Sequence, residues 1–181
     1  MEIVNTNIQG LTIRINKVMS DERGFLGEMA PSFASDSFFK AGVNNIYVSV
    51  AKKKLVARAE HYHNKNIENF FTISGTALWL FIDFRKDSPT FNNFYTVILG
   101  AKKALSDNGI PSYTVDDLKM AQVLVPTGVY HVYWSLTDED VAVLAIASEP
   151  YDKNDYERPD IRTLENFSQV KLHLEKFGIV L

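Results

Sequence analysis

The 181-residue chain contains no cysteine, which excludes disulfide staples, thiolate nucleophiles and cysteine-ligated metal centres. It has no Pro/Gly/Ser-rich linker, so nothing in the composition divides it. No apolar run reaches membrane-spanning length. The N-terminus, Met1 to Asn7, also lacks the basic stretch and apolar core of a secretory signal. The expectation is a soluble, cytoplasmic protein with no membrane partner. An excess of positive charge is missing too: the formal net charge is −3, with lysine and arginine scattered rather than striped. The only basic run, Lys52-Lys53-Lys54, is most simply a solvated strand end, so no nucleic-acid partner is expected.

What is present is hydrophobic residue in quantity, 46% of the chain, enough for one well-buried core. We expect a single domain over residues 1–181. Apolar and polar residues alternate from Leu11 to Val18 and again from Asn45 to Ala51, the period of half-buried strands. In the second run Ile46, Val48 and Val50 share one face and Tyr47 lies on the other. Ala77 to Phe84 is apolar on both faces and therefore wants cover on both sides, from the chain itself or from a second subunit. Further strands are expected at Phe25–Met29, Phe91–Leu99, Gln122–Val125, Val132–Leu136 and Val141–Ala147, with residues 100–120 as a long connection. Ser35-Asp36 reads as the N-cap of a short helical turn ended by Gly42. Near the end, Phe167, Val170, Leu174 and Phe177 recur at three- and four-residue steps, a helix stopped by Gly178. Roughly nine or ten strands with no long helix before the end describe an all-β barrel or jelly roll with a C-terminal helix.

The most informative stretch runs from Arg58 to Gly75. His61 and His63 are separated by one residue, so on an extended chain both imidazoles project from the same face. Glu68 follows after a polar turn, and Gly75 closes the next strand where the chain must turn tightly. Far downstream, Pro126-Thr127-Gly128-Val129-Tyr130-His131 supplies a third histidine. His-x-His with Glu68 and Gly75, then Pro-x-Gly-x-x-His, resembles the two motifs of the cupin superfamily. That resemblance implies a jelly-roll barrel, here about residues 11–150, followed by a tail and helix over about 151–181. Met120 and Ser135 stand where the cupin pattern has a glycine and an asparagine.

Three other stretches resemble the nucleotide-sugar branch of the cupins. Asp21-Glu22-Arg23-Gly24-Phe25-Leu26-Gly27-Glu28 and Asp83-Phe84-Arg85-Lys86-Asp87-Ser88-Pro89-Thr90-Phe91 are similar to segments of dTDP-4-dehydrorhamnose 3,5-epimerases, as is Arg58-Ala59-Glu60-His61. The His-x-His pair, Ala147 to Asp152 and Asp155-Tyr156-Glu157-Arg158 look more like dTDP-4-keto-6-deoxyhexose 3,4-ketoisomerases. The resemblance covers most of residues 11–160. It implies an isomerase or epimerase acting on a dTDP-linked 4-keto-6-deoxy sugar in deoxysugar or surface-polysaccharide biosynthesis, with no cofactor required. Two family features are replaced: the epimerase lysine falls nearest Glu68, and the acid tyrosine near Ala145.

On this reading His61 and His63 are the general base and proton carrier, since a neutral imidazole suits the acidified hydrogens beside a keto group. His131 joins them, and Tyr47 matches a ketoisomerase tyrosine by position. Arg23, Glu28 and Arg58 would bind the nucleotide, the arginines because their planar fork pairs phosphate oxygens. The alternative is a metal-dependent cupin, an oxygenase or metal-bound small-molecule binder, with His61, His63, Glu68 and His131 holding Mn, Fe, Ni or Zn. An inactive sugar-binding relative is a third reading. In the resembling epimerases the N-terminal segment crosses to the neighbouring subunit, so a homodimer with exchanged N-terminal strands is expected. Trp79 and Trp134 are expected in core or interface, and His173 in solvent.

Overall fold

The computed structural model describes residues 1–30, 36–104 and 106–181. Its architecture is two sheets packed face to face, antiparallel throughout except for one parallel pair of strands at the edge of the second sheet, Phe94–Gly100 with Ser112–Thr114. The first sheet has the order β1-β2-β10-β6-β12-β4, with β3 pairing β2 at its side. Its strands are β1 (Glu2–Asn5), β2 (Thr12–Asp21), β3 (Gly24–Gly27), β4 (Asn45–Ala51), β6 (Glu68–Ser74), β10 (Lys119–Val125) and β12 (Val141–Ala147). The second sheet, β13-β5-β11-β7-β8-β9, is built from β5 (Ala57–His63), β7 (Thr76–Asp83), β8 (Phe94–Gly100), β9 (Ser112–Thr114), β11 (Val129–Ser135) and β13 (Tyr156–Glu157). The expected all-β jelly roll of cupin type, closed by a C-terminal helix, is what the chain forms. Strands are more numerous than expected because residues 100–120 carry β9 and the start of β10, and because Tyr156-Glu157 adds to the edge of β5.

The inward faces of both sheets form one core, with Ile13, Ile15, Phe70, Trp79, Phe81, Val123, Val143 and Ala145 among its members. The short helix α1 (Ser37–Ala41) is capped by Asp36, whose carboxylate accepts from the Phe38 and Phe39 N–H groups. Ser35, read with Asp36 as the cap, lies outside the described residues. Asp36 also pairs with Arg14 of β2.

Strand β7 is buried at every position. Its outer face, Leu78, Leu80 and Ile82, packs against Ile161, Val170, Leu174 and Ile179. Of the two expected sources of cover, the chain itself supplies it here, through its tail and helix α2 (Phe167–Glu175). Trp79 and Trp134 are both buried on this sheet. His173 is not simply solvated: its Nδ1 lies 3.3 Å from Thr96 Oγ1, and its ring meets Phe94 edge-on.

Strand β4 is the opposite case. Tyr47 and Ala51 pack toward the core, whereas Ile46 (62% exposed) and Val48 (55%) are turned to the outside. Ile73 on β6 is exposed as well. The hairpin of β2 and β3 adds exposed Met19, Phe25 and Leu26.

Candidate active site

The histidines meet where β5 and β11 pair, His61 directly opposite His131. Just before His61 the strand is irregular. Ala59 (φ 76°) and Glu60 (φ 61°) are both left-handed, and the register with β11 slips between His131 and Val132. Such a bulge re-aims the side chains that follow it. It also turns the Ala59 carbonyl back on His61, whose Nδ1–H donates to it at 2.9 Å. His131 does the same toward the Val129 carbonyl at 3.2 Å. Carbonyls only accept, so in a neutral His61 the proton sits on Nδ1 and the lone pair on Nε2.

Glu68, at the start of β6, projects between them and is only 1% exposed. Its Oε1 accepts from the Tyr47 hydroxyl at 2.5 Å. Its Oε2 lies 3.3 Å from His63 Nε2 and 3.2 Å from His131 Nε2. These contacts bring charge close without alignment, and Glu68 Oε2 and His131 Nε2 are left with no hydrogen bond. His63 Nε2 is also 3.2 Å from His61 Nε2. The ligating atoms of His61, His63, Glu68 and His131 all lie within 4.8 Å of one another.

Electrostatics separates the paired histidines. Burial, helped by repulsion from His131 and His63, holds His61 down at about 3, so it is neutral at physiological pH. Burial also opposes charge on His63, but Glu68 and then Asp155 outweigh it and push its pKa up. Glu68 is pulled well below the usual carboxylate range: burial works the other way, and the imidazoles of His131 and His63 overcome it. Burial, then the Glu68 charge, raises Tyr47, which remains a phenol.

Asp155 was not singled out from sequence, and it organises one side of the site. It accepts from the N–H groups of Asn64, Lys65 and Asn66 at 3.0, 2.9 and 3.1 Å. His63 Nδ1 sits 3.2 Å from both its carboxylate and its carbonyl oxygen. Nothing local announces this pairing, because Asp155 lies 92 positions from His63. The neighbouring Tyr156 packs its ring against His61 and His63, with centroids 4.6 and 4.5 Å away.

A cavity of about 390 Å³ opens over His61 and His131, walled by Tyr47, Tyr133, Tyr156 and, at its rim, Arg58. That volume falls in the range of small-molecule sites. Arg58 is exposed, with its Nε 3.4 Å from Ser49 Oγ. Of the expected site residues, the structure brings together His61, His63, His131, Tyr47, Glu68 and Arg58. Arg23 and Glu28 stand apart: both are exposed on the β2–β3 side, with Arg23 bound to Asp21. Ala145 is buried in the core and pairs directly with Tyr47 across β12 and β4. A phenol on the next strand thus occupies the neighbourhood of the replaced tyrosine.

The family model for dTDP-4-dehydrorhamnose 3,5-epimerase matches residues 5–106, more than half of the chain. The chain belongs to this family. No curated protein matches it by sequence. Among solved structures, the dTDP-4-dehydrorhamnose 3,5-epimerase of Bacillus anthracis with TDP and pyrophosphate bound is similar at TM-score 0.66 and 19% identity, covering 87% of this chain and 82% of that one. The 3,5-epimerase of Legionella pneumophila in complex with dTDP-4-keto-L-rhamnose has TM-score 0.68 and 22% identity, covering 87% and 76%. A double mutant of ChmJ, a 3'-monoepimerase from Streptomyces bikiniensis, in complex with dTDP, has TM-score 0.67 and 18% identity, covering 98% and 77%. These likenesses share the fold. Among the described residues, no helix is long and apolar enough to cross a membrane.

Proposed function

We propose that this epimerase-family chain is a cytoplasmic sugar-nucleotide isomerase or epimerase that moves a proton at the carbon beside the keto group of a dTDP-linked 4-keto-6-deoxy sugar. The observation that carries the reading is the neutral His61 at the floor of the cavity, with its Nδ1 proton committed to Ala59 and its Nε2 directed away from that bond. His63 holds its Nε2 proton between two acceptors, His61 at 3.2 Å and Glu68 at 3.3 Å. Turning that proton to Glu68 frees the His61 lone pair to take the substrate's proton. Paired groups whose pKa values are driven apart are the signature of an acid and a base sharing one site. Tyr47 keeps Glu68 in place, and Arg58 at the rim is suited to a phosphate oxygen.

The test is solvent exchange. Incubation with dTDP-4-keto-6-deoxyglucose in deuterated water should place deuterium in the sugar ring. Exchange at C3 alone identifies a 3,4-ketoisomerase or 3-epimerase, and exchange at C5 as well a 3,5-epimerase. Absence of incorporation with this and related nucleotide sugars overturns the reading; binding without exchange would mark an inactive sugar-binding relative.

The unbonded Glu68 Oε2 and His131 Nε2 favour a second reading, a metal-dependent cupin. His61, His63, His131 and Glu68 fit a divalent Mn, Fe, Ni or Zn ion, with Ala59 and Val129 carbonyls orienting two of the rings as outer partners of ligating histidines do. A bound ion would act as a Lewis acid toward a carbonyl oxygen. Metal analysis of protein purified without chelator should then give close to one equivalent per chain, lost in His63→Ala. A site that stays empty on adding all four ions rejects it.

The exposed Met19, Phe25 and Leu26 of the hairpin and the uncovered Ile46 and Val48 support a homodimer with exchanged N-terminal strands. Arg23 and Glu28 would then serve the partner's cavity. Removal of residues 1–29 should give a poorly soluble chain that no longer binds dTDP; a well-folded monomer with unchanged affinity would count against the exchange.

A further inference from the structure

We propose that Tyr156 is a catalytic residue of the proton transfer proposed above, its hydroxyl donating to the keto oxygen of the sugar while His61 takes the neighbouring proton. The inference rests on that reading of the site. When the C–H bond breaks, its proton goes to His61 Nε2 and its electron pair forms a C=C bond. The carbonyl π pair then moves onto oxygen, and the reverse flow returns the proton to carbon. Nothing is consumed, but the charge gathering on oxygen needs a donor already in place.

Apart from the guanidinium groups of Arg58 and Arg158, the cavity offers few. Of its three tyrosines, Tyr47 is committed to Glu68 at 2.5 Å, and the Tyr133 hydroxyl is paired with Ser49 Oγ at 2.9 Å. The Trp79 indole N–H is turned to Thr72. Among the described residues the Tyr156 hydroxyl has no hydrogen-bond partner, although its ring is fixed against both histidines. An ordinary phenol carries its proton at neutral pH and can donate it.

The backbone around Tyr156 is held on both sides. Strand β13 sets Tyr156 opposite His63 in register. On one flank Asp155 grips three N–H groups of the 64–66 turn. On the other, Arg158 Nη1 donates to the carbonyls of Ala59 and Glu60 at 3.0 and 3.3 Å, the same bulge that orients His61. Acid and base are thereby positioned from one strand pair, the rigid support a reacting constellation requires.

Tyr156→Phe isolates the hydroxyl, since the ring contacts remain. The expected result is a fall of roughly 10²-fold or more in deuterium exchange, with the dissociation constant for dTDP changed less than about 2-fold. Exchange at the wild-type rate in Tyr156→Phe overturns the proposal, and if Tyr156→Ala alone is slow, Tyr156 is only packing for the histidines. A Tyr156→Phe chain that no longer binds dTDP assigns the hydroxyl to the fold and also overturns it. Wild-type protein that exchanges nothing would instead defeat the reading on which this rests.

Discussion

Asp83 and Glu68 are both buried carboxylates on neighbouring parts of the barrel, and they are treated in opposite ways. Asp83 accepts two bonds from the Arg85 guanidinium, each at 2.8 Å, and one each from the Ser88 and Thr90 hydroxyls at 2.6 Å. Burial would raise its pKa, but these donors, Arg85 first, carry it down. Every lone pair has a use. Glu68 has one oxygen served by Tyr47 and the other facing two imidazoles without a hydrogen bond. A buried polar group left half-satisfied costs stability, so such a group persists where it has another role. The contrast fits Asp83 as a holder of the fold and the Glu68 cluster as the place where the proposed chemistry would occur.

Substitution should separate the two sharply, and the largest effect is expected at His61. His61→Asn removes the proposed base without adding bulk, and solvent exchange should fall by roughly 10²- to 10⁴-fold while the chain still unfolds cooperatively. Retained exchange would move the base elsewhere. Asp83→Ala should do the reverse. Loss of one partner from a buried ion pair costs about 3–5 kcal/mol, read in denaturant titration, and exchange per folded molecule should persist. Gly128→Ala attacks the same turn from the other side. Gly128 has φ +71°, and an added Cβ would lie 2.4 Å from Arg85 Cγ, displacing the arginine from Asp83. Its N–H also donates to the His63 carbonyl at 2.7 Å, tying the turn to the histidine strand.

This division was only partly legible in the chain. The period-2 spacing of His61 and His63, and the cupin-like placing of Glu68 and His131, were enough to bring four polar residues to one point. Strand β7 was recognised as two-sided, but its cover was not, because Val170 and Leu174 reach it from a distant helix whose destination no local pattern records. The Asp83-to-Phe91 segment was the most specific resemblance, yet it folds as a turn bonded to Gln9 and Gly128 rather than as a wall of the cavity. Asp155 and Tyr156 lie in a stretch that resembles the ketoisomerases, but nothing local in it marks a role for either. Their function depends on pairing across the barrel, which periodicity cannot express.

A smaller effect probes the linkage between Glu68 and His63. Glu68→Gln should lower the His63 pKa, since Glu68 is the first of the groups that raise it against burial. An NMR titration of the imidazole checks this, and an unchanged midpoint would mean that Asp155 alone holds the charge.

The most discriminating measurement is the pH dependence of stability, whose slope per proton is at most about 1.4 kcal/mol per pH unit. Between pH 6.5 and about 3 the unfolded chain protonates His61 while the native chain does not, so stability should fall as pH falls through that window. His63 works in the other direction: its native pKa is raised, so its contribution is complete below 6.5 and is lost as pH rises through the native value. Glu68, with a lowered native pKa, adds stability that is lost only below the ordinary carboxylate value of 4.5. The span from pH 6.5 to 4.5 therefore isolates His61 within the cluster. His173, lowered by burial and then by Lys176, contributes a slope of the same sign, so the informative quantity is the difference between wild type and His61→Asn. That substitution should flatten the acid side and leave the alkaline side intact, and His63→Gln should do the opposite. If neither substitution changed its own limb of the curve, the cluster would not govern it and the contrast between the two carboxylates would be lost.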